Sequence, residues 1–329
     1  MFPTAVVFLK LFAIFVVVAL GWVAGRLRWL GDNDPARTLS NAAFYIFIPA
    51  LLFRTTARVD FKTLPWGTLA AFFVPVLLLL AVVYVWQRRW NRGGRLPVAA
   101  PSVRAISATF GNTLQIGVPM MTALFGEPGL AIHITIISLH ALILLSVLTA
   151  LVELDLARAR RLSGHSDGHL LQTLRTTARN TIIHPVVLPV LAGLVWYALF
   201  PPLPAIADEI LLTMSQAVVP LCLVLIGMSL AYYGMRAAAK GAIVLSVLKL
   251  IVLPAVVLVI GRWGMGLSGL PLAVIVMAAA MPVGSNALIF SQRYETLEAE
   301  ATAAIVVSTF AFALTAPLWL MVLSRTGVL

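Results

Sequence analysis

The chain is poor in charge, and its few acids sit where they can do little chemistry. Only 11% of its 329 residues are Asp, Glu, Lys or Arg, against about a quarter in a soluble domain. The twelve acids are Asp32, Asp34, Asp60, Glu127, Glu153, Asp155, Asp167, Asp208, Glu209, Glu295, Glu298 and Glu300. All fall in expected loops or at the edges of apolar spans, which argues against a midplane sodium or proton site built on carboxylates. Cys222 is the only cysteine, so an intrachain disulfide and a cysteine metal cluster are excluded. There is no HExxH, P-loop or GxSxG motif and no carboxylate pair for general acid–base work. No Ser/His or Asp pair within the spans offers intramembrane proteolysis. Basic stretches lack the interleaved aromatics that single-stranded nucleic acid would need. An enzyme, a metalloprotein and a nucleic-acid binder all lose their usual support.

Apolar sequence dominates what remains. The chain is 61% hydrophobic with mean hydropathy +1.01, the composition of an integral protein of the lipid bilayer. A bilayer asks for about 20 apolar residues per helix, and ten stretches qualify, at roughly 4–25, 38–54, 65–86, 104–125, 129–151, 181–200, 207–231, 240–261, 270–291 and 300–323. The second is the least apolar, opening with Thr38, Ser40 and Asn41. The first lacks a basic leader and a small-residue cleavage site, so it reads as a retained helix rather than a signal peptide.

The net charge of +11 is spread between spans, which fits topology better than nucleic acid. Loops after odd-numbered spans hold 16 Lys and Arg, the opposite side holds 5, and Lys10 and Lys249 lie inside spans, accounting for all 23. The positive-inside rule then puts the odd loops in the cytoplasm and both termini outside. The longest connection, about 152–180, separates five spans (1–151) from five more (181–329). His165 and His169 in it read as incidental histidines of a polar linker rather than a metal pair.

Two spans are interrupted by residues hostile to a helix. The first interruption is Phe110-Gly111-Asn112-Thr113-Leu114-Gln115-Ile116-Gly117-Val118-Pro119, the second Ala280-Met281-Pro282-Val283-Gly284-Ser285-Asn286-Ala287. Irregular backbone survives at membrane depth only where it lines a protein cavity. A pair of such breaks in corresponding spans marks a transporter's binding site. Pro49 and Pro220, in the second and seventh spans, and Pro75 and Pro254, in the third and eighth, recur at similar offsets. Five spans per half would turn the second half upside down. The fold expected is an all-α polytopic protein of two inverted five-helix repeats with broken fourth and ninth helices.

The breaks also supply the polar chemistry. Helix N-termini carry partial positive charge and free N–H groups. Asn112 and Asn286 add two donors and an acceptor each, and Thr113, Gln115 and Ser285 add adaptable polar groups. Lys249 lies within the eighth span, where an ammonium is costly and functional by default. It has three readings: attraction of an anionic substrate, pinning of the carbonyl ends of a broken helix, or snorkelling to the interface. Lys10, nearer a span end, reads as snorkelling. His133 and His140 are seven residues apart and share a helix face, as a proton relay or as core hydrogen-bonding groups.

In order and spacing, several segments resemble the auxin efflux carrier family, which includes plant auxin exporters and bacterial malonate and dicarboxylate permeases. They are Gly21-Trp22-Val23-Ala24-Gly25-Arg26, Phe44 to Phe53 around Pro49, Gly111-Asn112-Thr113 with Ile116-Gly117-Val118-Pro119, Lys249-Leu250 with Leu253-Pro254, and Met281 to Asn286. The resemblance implies broken helices 4 and 9 that cross. It also implies a scaffold (helices 1, 2, 6 and 7), a transport domain (helices 3–5 and 8–10) and an elevator-like motion between them. It implies that Asn112 and the peptide groups around Pro119 hold a substrate carboxylate, and it allows a homodimer through the scaffold. The chain departs from the plant pattern in its short central loop and in Asn286-Ala287 where a second proline stands.

The function expected is a secondary carrier of a small organic anion, malonate or a similar carboxylate, in the plasma (bacterial inner) membrane. Its site would comprise Asn112, Thr113, Gly117, Pro119, Pro282, Gly284, Ser285 and Asn286, with Lys249, His133 and His140 as charge or coupling candidates. No cofactor is implied, and coupling to H+ or Na+ stays open. The alternatives are a sodium-coupled anion symporter of the bile-acid type, and a channel or sensor on the same fold.

Overall fold

The computed structural model describes residues 3–31, 34–58, 65–91, 94–162, 183, 185, 187–233 and 238–328. His165 and His169 lie outside these, as do the side chains of Lys10, Gln115 and Pro119. Every named element among the described residues is helical. In chain order they are α1 (Pro3–Arg26), α2 (Pro35–Arg58), α3 (Trp66–Trp90), α4 (Ala100–Thr109), α5 (Val118–Leu162), α6 (Val187–Leu199), α7 (Ala205–Tyr233), α8 (Ala239–Gly264), α9 (Gly269–Ala279), α10 (Asn286–Arg293) and α11 (Glu298–Arg325). Among the described residues, α2, α3, α8, α11 and most of α5 and α7 are long and apolar enough to cross a membrane.

Local chemistry explains several boundaries. Asp34 takes a left-handed conformation and its carboxylate accepts the Arg37 N–H at 3.2 Å, with Pro35 in the first turn of α2, an ordinary capped start. Glu298 and Glu300 fill the first turn of α11, where negative charge complements the helix dipole. Proline inside a helix frees the carbonyl four residues earlier. Pro254 does this to Leu250, whose carbonyl accepts the Trp319 indole N–H at 2.7 Å, and the helix widens to a π-turn over Leu248–Val252. A bilayer offers no water for that carbonyl, so the indole removes a cost of several kcal/mol.

The fourth and fifth spans are joined more closely than their separate ranges imply. α5 runs from Val118 to Leu162 through a kink at Gly126 (φ 63°, ψ −160°) with Pro128 behind it. Glycine accepts that positive φ without a Cβ clash. α5 also continues past 151, because Asp155 is held by side chains of α3 and of α5 itself.

Several helix pairs pack closely, and α1 also touches α5 and α7 touches α11. α1 lies along α7, and α2 against α6 and α7. α3 lies against α4 and α9, and α8 against α9 and α11. The Asp208 carboxylate of α7 receives Arg54 at 2.8 Å and Arg58 at 2.7 Å from α2. The α1–α7 contact is backbone to backbone. A Cβ on Gly227 would stand 1.9 Å from the Val18 carbonyl oxygen, and one on Gly21 2.2 Å from that of Val224. Gly21 and Gly25 form a small-xxx-small face, which lets membrane helices approach closely.

Overpacking a close contact costs about 1–3 kcal/mol. Gly227→Ala should therefore lower the thermal midpoint in detergent by several degrees. Gly67→Ala, with nothing near its Cβ, should leave it unchanged or raise it slightly. Equal midpoints for the two variants would refute the close contact.

Candidate functional site

The two breaks meet. α4 ends at Thr109, Phe110 turns extended, and Gly111 pairs antiparallel with Val283. The Asn112 N–H donates to the Pro282 carbonyl at 2.8 Å, and the Gly284 N–H donates to the Phe110 carbonyl at 2.9 Å. Only a bare backbone fits here. A Cβ on Gly284 would stand 2.9 Å from the Gly111 carbonyl oxygen.

Side chains from three helices each satisfy one further backbone group near the breaks. Ser308 of α11 accepts the Val283 N–H at 3.0 Å. His133 of α5 places Nε2 2.8 Å from the Thr113 carbonyl; since a carbonyl only accepts, Nε2 carries the hydrogen. Lys249 of α8 donates from Nζ to the Ala279 carbonyl at the last turn of α9. With 1% of its surface exposed, Lys249 does not snorkel. It stands behind Gly111, whose Cβ would lie 3.3 Å from Nζ.

The paired breaks border a cavity of about 110 Å³. Phe110 to Leu114 and Gly284 to Asn286 form one wall, and Leu51, Leu52, Thr55 and Thr56 of α2 with Val218 and Val219 of α7 form another. Ile137, Ser138, His140 and Ala141 of α5 close it. Ser285 and Asn286 stand at the start of α10, and Thr113 at the start of the π-turn that leads into α5. Two positive helix ends therefore meet the cavity, and no carboxylate lines it among the described residues.

The candidates named from sequence divide cleanly. Asn112, Thr113, Gly284, Ser285, Asn286 and His140 line the cavity. His140 stacks on Phe110 at 4.5 Å and sets Nδ1 3.3 Å from the Thr113 hydroxyl. Gly117, Pro282, His133 and Lys249 are not in its lining. Gly117 makes room for His133, whose Nε2 would lie 2.4 Å from an added Cβ. The Pro282 carbonyl is occupied by Asn112, and Pro119's side chain lies outside the described residues. Of the three readings of Lys249, the geometry matches carbonyl pinning. The walls supplied by α2 and α7 were missed; the adjacent threonines Thr55 and Thr56 in an apolar helix were their only polar signal.

Residues 6–320 match the model of a family described as membrane transport protein. A protein of Methanothermobacter thermautotrophicus described as an uncharacterized transporter is 24% identical over 94% of this chain and 96% of its own length. The uncharacterized transporter YfdV of Escherichia coli is 24% identical over 95% of this chain and 96% of its own. Auxin efflux carrier component 8 of Arabidopsis thaliana is 23% identical over 85% and 87% respectively.

Removing the Lys249 ammonium leaves the Ala279 carbonyl buried and unpaired, at a cost of about 1–3 kcal/mol. Lys249→Met, which keeps the stem and loses the charge, should reduce thermal stability in detergent measurably. A variant as stable as the parent would show that the carbonyl needs no pin.

Proposed function

This chain belongs to the membrane transport protein family that contains the auxin efflux carriers, and on that footing we propose that it is a secondary carrier of a small organic anion, malonate or a similar carboxylate. The observation that carries the proposal is the cavity at the crossing. Two helix N-termini and the amide and hydroxyl groups of Asn112, Thr113, Ser285 and Asn286 converge there, with no carboxylate among the described lining residues to repel an anion. Fixed donors of this kind bind carboxylates at helix ends. The volume of about 110 Å³ equals several water sites at about 10–15 Å³ each, which suits a short acid better than a bulky aromatic one.

The mechanism proposed is an elevator. The cavity lies between the crossing and the walls given by α2 and α7, so sliding the crossing along those walls would carry the site across the membrane. α1, α2, α6 and α7 form the stationary scaffold, and the remaining helices move. In this reading α4 with the first part of α5, and α9 with α10, are the broken fourth and ninth helices of two inverted five-helix repeats. The antiparallel pairing of Gly111 with Val283 is what such a repeat would produce at its centre. The arginine distribution supports non-cytoplasmic termini in a bacterial inner membrane.

Asn112→Ala should weaken uptake of labelled malonate or a related carboxylate into proteoliposomes by about tenfold or more, the effect of losing one hydrogen bond to a charged ligand. Internal unlabelled substrate should accelerate uptake by the parent, since a carrier shows counterflow and a channel does not. Unchanged flux in Asn112→Ala would remove that residue from the site. Separate pH and sodium gradients identify the coupling ion.

A further inference from the structure

A second built site lies apart from the crossing, at the end of α3. Tyr84, Arg88 and Arg158 converge on Asp155. The tyrosine hydroxyl donates at 2.7 Å, and Arg88 and Arg158 approach a carboxylate oxygen at 3.4 Å each. The Asp155 side chain is 8% exposed while those of Arg88 and Arg158 are 43% and 52% exposed. The buried acid therefore orients two guanidinium groups that still face outward. Arg89 joins them in the lining of a concavity of about 560 Å³. Three arginines against one carboxylate leave two positive charges in excess. The rim is built by Asn91, whose amide donates to the Leu96 carbonyl at 2.9 Å and whose side-chain oxygen accepts the Leu96 N–H at 2.8 Å. None of these residues lines the cavity at the crossing.

The surroundings fix the depth of the concavity in the bilayer. Trp86 and Trp90, both exposed, mark the level of the headgroups, where amphipathic rings concentrate. From there an exposed apolar stripe of Val85, Val82, Leu78 and Val74 runs along α3 at the three- and four-residue spacing of one helix face. The charged concavity and the apolar track are continuous through Val85, which belongs to both. We propose that this is a binding site for an acidic phospholipid, whose phosphate lies between Arg88, Arg89 and Arg158 and whose acyl chain follows the α3 stripe. Planar guanidinium groups pair with phosphate oxygens bidentately, and basic pockets between membrane helices hold acidic headgroups. A soluble phosphate would satisfy the arginines but would gain nothing from the stripe.

The test is native mass spectrometry of the full chain in detergent, titrated with phosphatidylglycerol, with phosphatidylcholine and with inorganic phosphate. The expected result is retention of phosphatidylglycerol in preference to phosphatidylcholine, undiminished by excess inorganic phosphate. Each arginine near a phosphate is expected to contribute roughly a factor of five in affinity. Arg89→Gln, which touches none of the Asp155 contacts, should lose about that factor, and replacing Arg88, Arg89 and Arg158 together by glutamine about a hundredfold. If the triple variant fails to fold, Arg89→Gln and Arg158→Gln separately carry the test. Equal retention of the two lipids, displacement by inorganic phosphate, or unaltered binding in these variants would each overturn the site.

Discussion

The structure depends on one contact between two pieces of bare backbone. Gly111 and Val283 pair where neither break has a helix to satisfy it. In hydrocarbon an unpaired peptide group costs several kcal/mol, so each break is stable only because the other is present. The bonds from Asn112 to Pro282 and from Gly284 to Phe110 exchange peptide groups that would otherwise be orphaned. Everything near the crossing follows from keeping that exchange dry and close. Glycine at 284 admits the approach, glycine at 111 leaves room for Lys249, Ser308 and Lys249 take the Val283 N–H and the Ala279 carbonyl, and His133 holds Thr113 from the other flank.

That arrangement separates two tasks that residue type alone confuses. A lysine, two histidines and several amides all look like ligand-binding groups when they occur inside apolar spans. The geometry assigns Lys249 and His133 to the backbone of the breaks, each donating to a carbonyl, and leaves Asn112, Thr113, Ser285, Asn286 and His140 facing the cavity. The positive character on the cavity side comes from helix ends rather than from an ammonium. Such dipoles are fixed by the fold and need no counter-ion. A side-chain cation at the same place would need its own partner when the cavity is empty.

The breaks were legible because helix-hostile residues in apolar sequence have few uses, whereas their meeting was implied only by the family resemblance. Asn112-Thr113 and Gly284-Ser285-Asn286 announce irregular backbone without any structure. The polar wall residues were harder to see. Thr55 and Thr56 return their hydroxyls to Leu51 and Leu52 one turn back, as membrane threonines commonly do. Only their place in the cavity lining distinguishes them. Ser308 and Trp319 were invisible for a related reason, since a lone serine or indole in an apolar helix has no pattern until its partner is known. The end of the fifth span was placed too early, at 151, because Asp155 and Arg158 continue to Leu162 a helix that hydropathy would end.

Close approach and looseness are distributed unequally, and that bears on motion. Gly21 and Gly227 bring α1 and α7 into backbone contact, and Arg54 and Arg58 tie α2 to α7 through Asp208. Interdigitated backbones resist sliding, because every ångström of displacement meets a carbonyl or an N–H. The surfaces that α2 and α7 present to the cavity are different in kind. Leu51, Leu52, Val218 and Val219 offer short aliphatic side chains, and the hydroxyls of Thr55 and Thr56 are bonded within their own helix. An apolar wall whose polar groups are already satisfied loses little when its neighbour shifts by a helical turn. The close pairing and the apolar wall lie on the same helices, as the proposed elevator requires.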